Sequence, residues 1–336
     1  MKYIYIVLSL LIPSIVYSAP TGEVSSYYQS LATYAHIASV AYCIKDGLES
    51  GKLGSPETGC SKEVCQSDDL KNIEIIKTFN FNDLGDVGSG LYGVDHDKER
   101  ILLVFRGTAS TRDWVGNIDT FPVKYEPIMN YDYNTNQAIE CNGCRVHRGF
   151  YTFLKTNCPQ IISEVIALKE KHPGYKLVVL GHSLGAALTL LTGIEFQLMG
   201  LNPLVISYAG PKVGNSDMTN FVNEIFSTQS VNDYIDETGE IDQGLIRVVH
   251  SGDIVPKLPP LGSFDHCGVE FRITKKELPH EASDIEKSDW RASSQLSEAE
   301  IATFNGIGPG KLWPNSLGKY EHAHYFVRMT GCGDEN

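Results

Sequence analysis

The sharpest change in hydropathy along the chain falls at residues 177–194. There the apolar run Leu177-Val178-Val179-Leu180 meets Gly181-His182-Ser183-Leu184-Gly185, and Ala186, Ala187, Leu188, Leu190, Leu191 and Ile194 follow. The first run suits a strand covered on both faces, with a piece of buried helix as the alternative. The second suits a helix with almost no polar face. Elsewhere Tyr27, Leu31, Tyr34, Ala38 and Ala41 recur at helical spacing and predict a helix over 25–42, followed by polar loop over 44–72. Strands are predicted at 73–79, 90–94, 101–105, 204–208 and 246–249, and helices at 150–170 and 217–226, with an acidic loop over 234–243. Strands alternating with helices imply an α/β fold: one domain with a mostly parallel sheet covered on both faces. Its largest insertion is expected between Lys275 and Lys319.

The chemistry starts at Ser183. A strand that turns sharply into a helix crowds the backbone, so only very small residues fit on either side of the exposed position. Gly181 and Gly185 meet that demand in a G-x-S-x-G elbow, which presents the serine hydroxyl at the helix N-terminus. A bare Gly-Ser turn is the competing reading, and the flanking elements argue against it. A serine hydroxyl needs a base and a group that orients the base. In this architecture the order along the chain is serine, acid, histidine. Asp253 follows an apolar strand and a Ser251-Gly252 turn, so it is the expected acid; Asp233, Asp236 and Asp242 read as solvated. Both His322 and His324 in the tail EHAHYF remain open as the base, ahead of His266 and His280. The oxyanion needs prearranged donors. One is expected from the backbone N–H of Leu184, the residue after the nucleophile, and one from Thr108 in FRGTAS, where Gly107 permits a tight turn.

Composition narrows the setting more than the chemistry. The 336 residues are 42% hydrophobic and 21% charged, as in ordinary globular proteins, and a net charge of −13 disfavours nucleic acid as a partner. Residues 1–18 read as a secretory signal, with one lysine, an apolar stretch and Val16-Tyr17-Ser18 before the cleavage point, leaving 19–336 as the mature domain. No N-x-[ST] acceptor occurs. Eight cysteines in a secreted chain read first as disulfides, with 105 possible connectivities. Cys60/Cys65 and Cys141/Cys144 are close pairs in polar, Gly-containing loops; zinc binding by Cys-Asn-Gly-Cys is the alternative, and export through an oxidising compartment argues against it.

Six segments in order, FRGTAS, RVHRGF, GHSLGAA, YAGPKVGN, GDIVPKLPP and HAHYF, resemble the secreted fungal class 3 lipases of the α/β-hydrolase fold. The resemblance runs from about Tyr34 to Cys332. It implies Ser183 as nucleophile, Asp253 as acid and His322, in an H-x-x-Y-F context, as base. Thr108 and Leu184 match the oxyanion positions. It also implies the disulfides Cys43–Cys332, Cys60–Cys65 and Cys141–Cys144, leaving Cys158 and Cys267 without assigned partners.

The segment 110–121, STRDWVGNIDTF, places Trp114, Ile118 and Phe121 at i, i+4 and i+7 with Val115 alongside. A short amphipathic helix of that kind is a lid, hiding an apolar groove in water and meeting an oil surface when open. A surface helix that packs Trp114 inward is the plainer reading. Val255, Leu258 and Leu261 are candidate acyl contacts. The expected activity is triacylglycerol hydrolysis at an oil–water interface through an acyl-enzyme, with no metal, cofactor or obligate protein partner. Feruloyl-type and other soluble-ester esterases, phospholipase A1, a serine peptidase and a binding protein on an inactive scaffold are the rivals. Trp114 favours a lipase, and the intact Ser-Asp-His set disfavours the inactive scaffold.

Overall fold

The computed structural model describes residues 26–81, 88–107, 121–129, 140–259, 264–288 and 319–332. Helix α1 (Ser26–Val40) runs into a turn of 3-10 helix at Ala41–Asp46. Strands β1 (Gly51–Lys52), β2 (Glu74–Phe79), β3 (Gly90–Asp95) and β4 (Arg100–Phe105) follow, then the short pair β5 (Pro122–Lys124) and β6 (Arg145–His147). Next come α2 (Arg148–Lys171), β7 (Lys176–His182), α3 (Leu184–Leu198) and β8 (Leu204–Tyr208). Helices α4 (Ser216–Ile225) and α5 (Thr228–Thr238) lead to β9 (Gly244–His250), β10 (Val269–Ile273) and β11 (Ile285–Ser288). Helix α6 (Lys319–Ala323) and the two-residue strands β12 (His324–Tyr325) and β13 (Val327–Arg328) end the described chain.

Among the described residues one sheet of nine strands has the order β1-β2-β3-β4-β7-β8-β9-β10-β11. Its centre, β4 through β10, is parallel, and the flanking pairs are antiparallel. The central strands are apolar throughout because both faces are covered. Leu177, Val179 and Val205 pack with α2, α3 and α4 on one face. Their alternates Val178, Leu180, Leu204 and Ile206 pack with α1 and α5 on the other. This is the α/β-hydrolase architecture expected from the sequence.

Two expectations are corrected. The acidic stretch starting at Tyr234 is not a loop at its beginning, since α5 runs to Thr238. Val231 and Ile235, four residues apart, anchor that helix in the core while its acidic residues face solvent. The stretch from Lys275 onward is not wholly an insertion, because Ile285–Ser288 closes the sheet antiparallel to β10. Only Ile285 of that strand is buried, so an edge strand left almost no hydrophobic signal.

Candidate active site

Ser183 sits between β7 and α3 with φ 59° and ψ −126°, a left-handed backbone that a non-glycine residue adopts only when its surroundings enforce it. The surroundings do so. The Ser183 N–H donates to the Tyr208 carbonyl at 2.9 Å, and the Ser183 carbonyl accepts from the Ala186 N–H at 3.0 Å. A Cβ on Gly181 would come within 2.5 Å of the Gly185 carbonyl oxygen, and a Cβ on Gly185 within 2.4 Å of the Phe105 carbonyl oxygen. Both glycines are therefore steric requirements of the elbow. Leu184 opens α3, and its N–H belongs to the first turn, whose amides have no acceptor within the helix.

Asp253 follows β9 through the Ser251-Gly252 turn, and His322 comes from α6. His322 Nε2 lies 2.9 Å from Ser183 Oγ, and His322 Nδ1 lies 2.9 Å from Asp253 Oδ2 and 3.1 Å from Oδ1. An ionised carboxylate only accepts, so Nδ1 carries the proton and Nε2 is free to accept from the serine hydroxyl. The side chains are buried: Ser183 is 2% exposed, Asp253 1% and His322 4%. His324 is elsewhere, stacked on Tyr320 with ring centroids 3.9 Å apart. His266 donates to the Pro256 carbonyl at 2.5 Å and His280 accepts from the Phe326 N–H at 3.1 Å, so both support loops.

Asp253 keeps its place through further bonds. Its Oδ1 accepts the Val255 N–H at 2.9 Å, and its Oδ2 accepts the Tyr325 hydroxyl at 2.6 Å. The same phenol oxygen accepts the His250 N–H at 3.0 Å. Burial, and then the charge of that carboxylate, push the Tyr325 phenol well above its ordinary range. The sequence by itself does not single out Tyr325. The H-x-x-Y-F context was its only trace.

Val255 and Leu258 lie in the buried cluster with Leu184 and Ile254. The Leu258 carbonyl accepts the Lys212 N–H at 2.8 Å. Thr108, Trp114, Val115, Ile118 and Leu261 lie outside the described residues, as does the lid expectation. Phe121, at the end of that segment, is exposed with the Arg148 guanidinium 5.2 Å from its ring centroid. Arg106 is buried, and its N–H donates to the Ser89 carbonyl at 2.9 Å. The disulfides are Cys43–Cys332, Cys60–Cys65 and Cys141–Cys144. Cys158 and Cys267 are buried free thiols, each pushed up to about 12 by burial and correspondingly unreactive.

A serine, an imidazole and a carboxylate hydrogen-bonded in line at the carboxyl ends of a parallel sheet define an α/β-hydrolase. The sequence profile described as Lipase (class 3) matches residues 102–263. LIH1 of Saccharomyces cerevisiae is 32% identical over 320 residues, spanning 91% of this chain and 94% of that protein. The secreted mono- and diacylglycerol lipase A of Penicillium cyclopium is 30% identical over 272 residues, 80% of this chain and 76% of its own. Among solved structures, the Lip2 lipase from Yarrowia lipolytica matches with a TM-score of 0.72 and 27% identity, covering 93% of this chain and 99% of the other. The chain belongs to the class 3 lipase family and is a carboxylic ester hydrolase.

Proposed function

We propose that this chain is an extracellular triacylglycerol lipase in which Ser183, His322 and Asp253 form the catalytic triad. The observation that carries the reading is the unbroken line from Ser183 Oγ through His322 to Asp253, with contacts of 2.9 Å on both sides of the imidazole. Ser183 attacks the ester carbonyl while His322 takes its proton, and Asp253 stabilises the imidazolium. The N–H of Leu184 and the Thr108 position receive the oxyanion. His322 then protonates the departing glycerol oxygen, and water cleaves the acyl-enzyme by the same route. The lipid surface is met by the segment containing Trp114, Val115 and Ile118, and Val255 and Leu258 flank the acyl chain. Residues 1–18 act as the export signal. The secreted relatives support that part of the reading.

The test is hydrolysis of tributyrin with its concentration raised through the solubility limit, with Ser183→Ala protein as the blank. A rate that jumps when droplets form is the expected result. Saturation below the limit would instead support an esterase with an open site. Activity surviving in Ser183→Ala would overturn the triad. The second reading is a preference for partial glycerides, since the relatives from Penicillium cyclopium and Gibberella zeae are mono- and diacylglycerol lipases. Parallel assays on a diacylglycerol separate the two.

A further inference from the structure

A second buried hydrogen-bonded line runs beside the nucleophile. Tyr42, in the 3-10 turn after α1, is 4% exposed. Its hydroxyl lies 2.7 Å from His182 Nδ1 and accepts the Gly107 N–H at 3.2 Å. His182, fully buried at the end of β7, has Nε2 2.8 Å from the His322 carbonyl oxygen. A carbonyl can only accept, so Nε2 carries the proton. A neutral imidazole then offers a bare Nδ1, and the Tyr42 hydroxyl donates to it. Both groups stay uncharged: burial, and then the neighbouring His322, hold the His182 imidazole well below its usual range, and burial pushes the Tyr42 phenol up. Each atom in the line thus has one orientation.

The line joins Tyr42 to three other segments distant in sequence. Gly107 precedes Thr108, His182 precedes Ser183, and the carbonyl belongs to His322 itself. The fit is tight, since a Cβ on Gly107 would lie 2.5 Å from the Tyr42 hydroxyl oxygen and 2.9 Å from Ser183 Cβ. We propose that Tyr42 is a positioning residue for ester hydrolysis: its hydroxyl locks His182 in the Nε2–H form, which holds the His322 backbone, and holds the turn leading to the oxyanion side. This rests on the triad reading above. Without the hydroxyl, the Gly107 N–H is buried without that acceptor. His182 can also take the Nδ1–H form, whose bare Nε2 repels the His322 carbonyl.

The experiment compares Tyr42→Phe with wild type on a soluble p-nitrophenyl ester, with Ser183→Ala as blank. Tyr125→Phe is the control for losing a buried hydroxyl, since Tyr125 is fully buried and donates to Glu195 at 2.9 Å. Expected for Tyr42→Phe is a kcat lower by roughly ten- to a hundredfold with KM changed less than about twofold. Phosphonylation of Ser183 by a p-nitrophenyl phosphonate, read by release of p-nitrophenol, should slow in parallel. Tyr125→Phe loses thermal stability and keeps its kcat. His182→Gln, whose terminal amide can donate to the His322 carbonyl, retains more kcat than His182→Leu. Adding Tyr42→Phe to His182→Leu costs little more, because the line is already broken. Wild-type kcat in Tyr42→Phe overturns the proposal alone, as do equal rates in the two His182 variants. Activity in Ser183→Ala would overturn the triad and this proposal with it.

Discussion

Asp253 shows how a single buried charge is kept usable. Its carboxylate faces His322, the Val255 amide and the Tyr325 hydroxyl, so both oxygens accept hydrogen bonds from fixed donors. A buried carboxylate without such donors would prefer to be neutral and would stabilise no imidazolium. The Tyr325 bond is short and charge-assisted, a type worth about 1.5–3 kcal/mol. Tyr325→Phe should therefore lower kcat/KM by roughly tenfold or more. Steady-state kinetics on a soluble ester check this; an unchanged kcat/KM would mean that Val255 and His322 suffice to hold the acid. Asp253→Asn should cost far more, on the order of 10⁴-fold, because an amide cannot hold His322 in the same tautomer.

At the scale of the element, α3 does two jobs, and both constrain its inner face. It carries Ser183 at its start, and it lies flat on β8 through Gly193. A Cβ there would sit 2.5 Å from Val205 Cγ2. Helix propensity favours alanine over glycine by about 1 kcal/mol. Overpacking costs about 1–3 kcal/mol. Gly193→Ala should therefore destabilise, and in a Val205→Ala background, where the room exists, it should become neutral or stabilising. Thermal unfolding of the four proteins decides it.

The same helix buries Glu195, which accepts the Tyr125 hydroxyl at 2.9 Å and the Ile128 and Met129 amides at 3.0 and 3.2 Å. Burial outweighs these donors and raises its carboxyl above the usual 4.5. A raised folded pKa gives stability that is complete below the unfolded value and is lost as pH rises through the folded one. Glu195→Gln should accordingly be more stable than wild type at pH near 7, with the gap closing toward pH 4.5. Tm measured against pH tests it, and a gap that widens on acidification would refute it.

Two features act on the whole molecule. Cys43–Cys332 joins residues 289 apart, tying the end of the α1 segment to the segment that carries His322. Loop-closure entropy assigns such a bridge about 6 kcal/mol, an upper figure when other bridges are present. The Cys43→Ser/Cys332→Ser double variant should unfold at markedly lower temperature while Cys141→Ser/Cys144→Ser, closing a separation of 3, changes Tm little. The second feature is a set of buried neutral imidazoles. Burial holds His182 and His266 well below the ordinary 6.5 and His280 at about 4. Depressed imidazoles are protonated first in the unfolded chain, so the stability they carry is present above the unfolded value and lost as pH falls. Tm should drop between pH 6.5 and about 4, with protons taken up on unfolding; a flat profile would rule this out.

What the sequence determined by itself is local. The apolar run into Gly-His-Ser-Leu-Gly specified strand, turn and helix because steric limits on glycine and the period of hydrophobic burial act over a few residues. Chain order and strand ends singled out Asp253 in the same way. Tertiary structure decided whatever depends on contacts across the chain. It separated His322 from His324, which share one short tail but face opposite environments. It placed the Tyr42 and Tyr325 hydroxyls beside the site, although Tyr42 carries no spacing signal and Tyr325 only the H-x-x-Y-F context, because a hydroxyl's partner is set by packing 140 and 72 residues away. It also added the polar edge strand Ile285–Ser288, whose stability comes from hydrogen bonds to β10 rather than from its own burial.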